Sequence, residues 1–267
     1  MSDSHSPCSS SPSGALAGRV AWVTGGATGI GAATARALAR DGARVAISGR
    51  RQEELARTAA ALREDGLAVH AFAADVADAA SVADAHARIA VELGTVDVLA
   101  CCAGTNVPNR FWKDMTPASF SQVVRINLDG VANGVHAVLP GMRAAGAGTI
   151  VIVSSWAGHS YLPFTGIAYG ASKTALGPLA QTINFEEGRH GIRASLVMPG
   201  EVATPILKSR PVPPSDAEMA RMLRPEDVAD AIRYVAAAPA HVCLNEILIG
   251  PVWNRIYIGA DDLKPRI

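Results

Sequence analysis

Short apolar runs alternate along this chain with alanine-rich segments in which apolar residues recur at helical spacing. Seven runs predict strands, at 19–24, 44–48, 68–73, 96–101, 149–154, 192–197 and 246–249. The intervening segments predict helices, at 31–41, 52–64, 79–93, 117–145, 169–189 and 225–238. Nearly continuous apolar strands that alternate with helices favour a parallel sheet covered on both faces. We therefore expect an α/β fold, a doubly wound parallel sheet of seven strands.

Two segments fit neither pattern, and both leave the predicted carboxyl ends of strands. The loop 105–116 carries Phe111 and Trp112, and the proline-rich segment 201–224 ends in a short apolar stretch with Met219, Met222 and Leu223. Ligands of open α/β sheets bind outside these strand ends. The segment 201–224 is therefore the predicted substrate lid.

Length and composition fit one domain. The chain has 267 residues, of which 49% are hydrophobic and 18% charged, enough for a sizeable core. Residues 1–14 are rich in Ser and Pro, without the apolar run of a signal peptide, and predict a disordered tail before a single domain at 15–267. No apolar run is long enough to cross a bilayer, so we expect a soluble cytoplasmic protein.

Charge and cysteine content exclude several partners. The 24 basic and 24 acidic residues give a net charge of zero, and no basic block indicates nucleic acid or an anionic membrane surface. The four cysteines have no metal-binding spacing, so we expect no metal site and reduced thiols in an intracellular protein.

The first predicted strand runs into a glycine-rich turn that opens a helix. Gly25, Gly29 and Gly31 permit a tight turn and a close approach of the backbone to a pyrophosphate at the positive helix end. Any strand-to-helix turn can be glycine-rich, but the position after the first strand of a βαβ pattern favours dinucleotide binding.

A tyrosine and a lysine stand four residues apart, which places them on one helix face. Tyr169 and Lys173 follow the serine pair Ser154-Ser155, and the chain has only four lysines. Such a spacing also occurs on solvated helices, but the scarcity of lysine argues against that reading. A neighbouring ammonium is expected to lower the pKa of a phenol from about 10 toward about 7.

These motifs together resemble the short-chain dehydrogenase/reductase family. The resemblance covers roughly residues 15–255 and rests on the order and spacing of Thr24-Gly-x-x-x-Gly29-x-Gly31, Asp75, Asn127, Ser155, Tyr169, Lys173, Pro199-Gly200 and Thr204. It implies a single-domain Rossmann fold and hydride transfer between a nicotinamide cofactor and a carbinol or carbonyl.

The resemblance implies a role for each catalytic candidate. Tyr169 would be the general acid in reduction and the base in oxidation. Lys173 would lower its pKa and hold the nicotinamide ribose, and Ser155 would donate a hydrogen bond to the substrate oxygen. Asn127 would mark a helix distortion and a water link to the lysine.

The resemblance also implies the cofactor contacts. Asp75 would contact adenine, although an aspartate there could equally cap the next turn; Thr204 would bond the carboxamide. The predicted set is Gly25, Thr28, Gly29, Ile30, Gly31, Arg50, Asp75, Val76, Ala103, Gly104, Tyr169, Lys173, Pro199, Gly200, Val202 and Thr204. Where an NAD-preferring member carries an acid, this chain has Gly49 followed by Arg50, which favours NADP over NAD.

The chain departs from the family after the fourth predicted strand. Cys101-Cys102 replaces the usual pair of asparagines, and small buried cysteines would pack there without taking part in catalysis.

The predicted substrate site is apolar and aromatic, and we also expect in its wall Phe111, Trp112, Met219, Met222 and Leu223. Ser155, Trp156, Tyr161, Phe164 and Tyr169 favour a bulky apolar ketone or secondary alcohol. Arg210 or Lys208 would instead bind a carboxylate, which favours a hydroxy acid. A non-catalytic dinucleotide-binding protein is the other alternative. By resemblance we expect a homodimer or homotetramer.

Overall fold

The computed structural model describes residues 14–254 and contains one parallel sheet of seven strands in the order β3-β2-β1-β4-β5-β6-β7. The strands are β1 Val20–Thr24, β2 Arg44–Gly49, β3 Val69–Ala73, β4 Val98–Cys101, β5 Gly148–Val153, β6 Ile192–Pro199 and β7 Glu246–Ile249. All seven predicted strands and the predicted fold class are confirmed. The expected tail at 1–14 lies, apart from Gly14, outside the described residues, as does the end of the predicted domain at 255–267.

The helices run between the strands. They are α1 Gly29–Arg40, α2 Gln52–Glu64, α3 Ala79–Leu93, α4 Pro117–Val124, α5 Gly130–Ala145, α6 Trp156–His159, α7 Ile167–Glu187, α8 Asp216–Met219 and α9 Pro225–Ala237. The predicted helix 117–145 is divided into α4 and α5 by a π-helical segment, Arg125–Asp129. This confirms the helix distortion that the resemblance implied around Asn127.

Alternation along β1 explains why the core has two halves. Ala21 and Val23 belong to the cluster formed with α1, α2 and α9, whereas Val20 and Trp22 belong to the cluster formed with α3, α5 and α7. Successive strand residues point to opposite faces, so a strand that is apolar throughout can be buried on both.

Strands β2 and β3 are added on one side of β1. The chain then crosses back to the other side of β1, where β4 to β7 are added, so the direction of strand addition reverses at β1. A crevice forms outside the carboxyl ends of strands at such a point. The β1–α1 turn and the loops after β4, β5 and β6 all open into it, which brings together residues far apart in sequence. Among residues 14–254, no helix is long and apolar enough to span a bilayer.

Candidate active site

A cavity of about 690 Å³ lies at these strand ends. It is lined by Ser155, Tyr169, Lys173 and every predicted cofactor residue except Asp75. The structure therefore brings together most of the residues singled out in the sequence.

The β1–α1 turn forms a tight cradle on one wall. Gly25 has a φ of +69°, and a Cβ on it would lie 2.7 Å from the backbone of Ala103. A Cβ on Gly31 would lie 2.2 Å from the carbonyl oxygen of Gly25. Thr28, the N-cap of α1, makes no side-chain capping hydrogen bond. The open end of α1 thus faces the cavity and fits a pyrophosphate, which favours helix N-termini.

Tyr169 and Lys173 are presented on the first turns of α7. Lys173 Nζ lies 5.9 Å from the centre of the Tyr169 ring and donates a hydrogen bond to the carbonyl oxygen of Val153, 2.8 Å away. Burial lowers the pKa of Lys173 to about 8. Lys173 is therefore anchored between α7 and the end of β5.

The pKa of Tyr169 is set mainly by burial, which raises it above the ordinary value. A side-chain hydrogen bond with Ser155 and the charges of Arg210 and Arg110 act in the opposite direction. The prediction that Lys173 draws this pKa toward 7 is therefore wrong for this structure. The nearby cations that favour the phenolate are the two arginines.

Ser154 and Ser155 have different hydrogen-bond partners and different roles. Ser155 is the N-cap of α6, where its hydroxyl oxygen accepts a hydrogen bond from the Ala157 N–H at 3.2 Å, and it forms a side-chain hydrogen bond with Tyr169 in the cavity. Ser154 is 3% exposed, and its hydroxyl donates to the carbonyl oxygen of Lys173 at 2.8 Å. Ser154 therefore fixes α7 against β5, while Ser155 is the serine beside the tyrosine.

Asn127 is fully buried in the π-helical segment and does not line the cavity. Its Oδ1 accepts from the N–H of Thr105 at 2.7 Å, and its Nδ2 donates to the Thr105 carbonyl oxygen and to Ser172 Oγ. Asn127 thus joins the loop after β4 to α7, next to Lys173.

Several predicted residues do not reach the cavity. Tyr161 is 88% exposed and lies outside the lining. Asp75 lines a shallower neighbouring cavity with Arg50, and its Oδ1 accepts from the Ala77 N–H at 3.0 Å, as a turn cap does. The other side chains expected in the apolar wall but absent from the lining are Phe111, Trp112, Met219, Met222 and Leu223.

Sequence reasoning missed Arg110, which lines the cavity although it is 4% exposed. Arg210 also lines it, whereas Lys208 is exposed and does not. The only available indication was that Arg110 belongs to a loop leaving the carboxyl end of β4. The apolar part of this wall is formed by Trp156, Leu162, Phe164, Ile206 and Leu207.

Cys101, the last residue of β4, and Cys102, which follows it, are protonated at neutral pH. Burial raises the pKa of Cys101 and raises that of Cys102 to about 12. Neither thiol is therefore a nucleophile at this site.

A comparison with models of known protein families identifies the family of this chain. The family model described as short chain dehydrogenase matches residues 19–213. The chain belongs to the short-chain dehydrogenase family. It is thus an oxidoreductase with a nucleotide-binding Rossmann fold. Tyr169, Lys173 and the glycine-rich turn all fall within the matched segment.

Individual relatives agree with this family. A glycine betaine reductase from Emericella nidulans is 38% identical over 90% of this chain, which spans only 19% of that protein. A cis-4-hydroxycyclohexanecarboxylate dehydrogenase from Sinomonas cyclohexanicum is 39% identical over 88% of this chain and 95% of its own. An alcohol dehydrogenase from Thermococcus sibiricus, solved in complex with 5-hydroxy-NADP, has a TM-score of 0.78 at 29% identity, covering 89% of this chain and 98% of that one.

Proposed function

We propose that this short-chain dehydrogenase transfers a hydride between NADP(H) and a ketone or secondary alcohol that is bulky and largely apolar. The observation that carries the proposal is the placement of Ser155, Tyr169 and Lys173 in the same cavity as the glycine cradle. The relatives support it, since one is named for a secondary alcohol on a six-membered ring and another is an alcohol dehydrogenase bound to an NADP derivative.

Each side chain has a task in this proposal. When bound, the nicotinamide cofactor supplies or accepts the hydride. Tyr169 gives a proton to the carbonyl oxygen in reduction and takes it back in oxidation. Ser155 holds the same oxygen by a hydrogen bond, and Lys173 holds the ribose. Asn127 holds the loop after β4 against α7, so it is a positioning residue.

The preference for NADP(H) rests on the end of β2. Gly49 ends that strand without a carboxylate that could accept bonds from a ribose 2′-hydroxyl. Arg50 and Arg51 line the cavity there. Arg51 forms an ion pair with Glu54 at 2.6 Å, and Arg50 is the better-placed partner for a 2′-phosphate.

We expect Tyr169→Phe to lose at least about 100-fold in kcat while still binding NADPH, because the variant lacks only the proton-transferring hydroxyl. Nicotinamide absorbance, followed with a panel of ketones and alcohols and both cofactors, measures turnover; calorimetry measures cofactor binding. Tyr234→Phe, an exposed tyrosine on α9, is the matched control. Unchanged turnover in Tyr169→Phe, or no turnover of any panel member by the unaltered protein, contradicts the proposal. The second result, with NADPH bound, favours the non-catalytic alternative.

We also propose that the segment 201–224 closes over the substrate. It contributes Glu201, Val202, Thr204 and Arg210 to the cavity, and an isolated parallel bridge between Val202 and Leu223 joins its two ends. Cytoplasmic location and assembly as a homodimer or homotetramer remain expectations from the sequence and the resemblance.

A further inference from the structure

Arg110 is held in the cavity wall beside the helix that carries Tyr169. Its carbonyl oxygen accepts from the Ile167 N–H at 3.3 Å, and its Nε donates to the Val107 carbonyl oxygen at 3.0 Å. Gly166, with a φ of +81°, permits this approach, because a Cβ there would lie 2.5 Å from Arg110 Cβ. The loop after β4 thus fixes the buried guanidinium of Arg110 at the end of the cavity that contains Tyr169, which is called the substrate end below.

Arg210 reaches the same cavity from the segment after β6. It follows the 3₁₀ turn Pro205–Ser209, and its Nη1 lies 2.7 Å from Glu201 Oε1. The side chains of Arg210 and Glu201 are 21% and 18% exposed, so this ion pair is largely buried. A guanidinium carries five N–H donors, so this contact leaves capacity for a second anion.

The substrate end of the cavity carries an excess of positive charge. Arg110 and Arg210 line the cavity and both act on Tyr169, and Glu201 is the one acid among the described lining residues. Burial lowers the pKa of Arg110, and the charge of Arg210 lowers it further, as expected for two cations close together. Like charges in a partly desolvated cavity repel, and a bound anion would offset that repulsion.

We propose that the substrate carries a carboxylate that binds Arg110 and Arg210 while its reacting carbon lies at Tyr169. The substrate class is then a hydroxy or oxo acid in which an apolar frame, in contact with Trp156 and Phe164, separates the carboxylate from the reacting carbon. This inference rests on the proposed function and makes it narrower. Planar guanidinium groups suit a carboxylate because they can donate two parallel hydrogen bonds.

A binding experiment tests the carboxylate site without turnover. Cyclohexanecarboxylate and cyclohexanecarboxamide have the same shape but differ in charge, and calorimetry gives their Kd for the protein saturated with NADPH. We expect the acid to bind at least about tenfold more tightly than the amide. In Arg210→Met that ratio falls to within about threefold, whereas Lys208→Met, a cation lost two residues away, retains it.

Three binding results overturn the inference. The first is equal binding of acid and amide by the unaltered protein. The second is loss of the preference in Lys208→Met but not in Arg210→Met. The third is an Arg210→Met variant that binds NADPH more weakly while its ratio of acid to amide binding is unchanged, since Arg210 would then serve the cofactor.

Turnover separates this inference from the proposed function. We expect kcat/KM for 4-oxocyclohexanecarboxylate to exceed that for its methyl ester at least about tenfold, and Arg210→Met to reduce this ratio. An ester reduced as well as the acid overturns the inference and leaves hydride transfer intact. Tight binding of the acid with no reduction of either ketone contradicts the proposed function and leaves the anion site standing.

Discussion

The acidity of Tyr169 depends on residues from three different loops. Burial favours the neutral phenol, and Ser155, Arg110 and Arg210 favour the phenolate. Lys173, the neighbour on the same helix, instead bonds the carbonyl oxygen of Val153. Spacing on a helix identified the two partners correctly as neighbours, but the charge balance at the hydroxyl is set by side chains that arrive from elsewhere.

Arg210→Met should therefore shift the pH dependence of oxidation. Tyr169 must be deprotonated to accept a proton, and the charge of Arg210 lowers its pKa. Without that charge the pKa rises, so the increase of kcat/KM with pH moves to higher pH. Steady-state profiles with a neutral alcohol measure this, and Lys208→Met is the control. A profile that stays in place or moves to lower pH contradicts the assignment.

Arg50→Ala should selectively weaken the binding of NADPH. A charge-assisted bond to the 2′-phosphate contributes about 1.5–3 kcal/mol, so we expect KM for NADPH to rise roughly tenfold or more. KM for NADH should change little, since NADH has no such phosphate. Arg57→Ala, an exposed arginine of α2 outside the cavity, serves as the control. Equal effects on KM for both cofactors would show that Arg50 does not bind the 2′-phosphate.

At the scale of elements, the site depends on how α7 is fixed. Asn127 joins the first turns of α7 to the loop after β4 through Ser172 and Thr105. At the other end of α7, Glu187 receives two hydrogen bonds from Arg143 on α5. Both ends of the helix that carries Tyr169 are thus tied to other elements.

Glu187→Gln should lower Tm near neutral pH by roughly 2–4 °C. Arg143 holds the pKa of Glu187 below its ordinary value, so the ion pair stabilises the fold above a pH of about 4.3 and this contribution is lost as the pH falls through the lowered pKa. Thermal unfolding should show the difference from the unaltered protein shrinking on acidification. Glu186→Gln, an exposed neighbour, is the control. A constant difference down to low pH would contradict the ion-pair explanation.

At the scale of the whole molecule, function and stability oppose one another at Lys173. Its side chain is buried between the sheet and α7, and burial lowers its pKa to about 8. A charged ammonium there disfavours the folded state relative to the unfolded chain. The protein retains a buried lysine at a cost in folding free energy.

The free energy of unfolding should accordingly rise with pH because of Lys173. The unfolded chain binds the proton up to a pKa of about 10.4, whereas the folded protein releases it near 8. Stability due to this group therefore increases between about pH 8 and pH 10, by up to about 3 kcal/mol. Denaturant unfolding of Lys173→Met should lack this increase, and exposed Lys113→Met should retain it. Parallel curves for all three proteins would contradict the burial argument.

Local pattern predicted much of this molecule. Apolar runs located all seven strands, most clearly the central ones, because strands buried on both faces are nearly continuously apolar, as β1 is. The glycines of the β1–α1 turn could be recognised because a close backbone approach leaves no room for a Cβ, as at Gly25. Periodicity missed the interruption Arg125–Asp129, since the apolar face of the helix continues across it.

The sequence by itself determined the parallel sheet, the nucleotide cradle and the pair Tyr169 and Lys173, because each depends on neighbours within a few residues or on a regular apolar period. Only the tertiary structure decided which side chains complete the site. It placed Arg110 and Arg210 in the cavity and left Tyr161 and Lys208 at the surface. These side chains lie on irregular loops without periodicity, so their exposure and their electrostatic effect on Tyr169 follow from packing between segments distant in the chain.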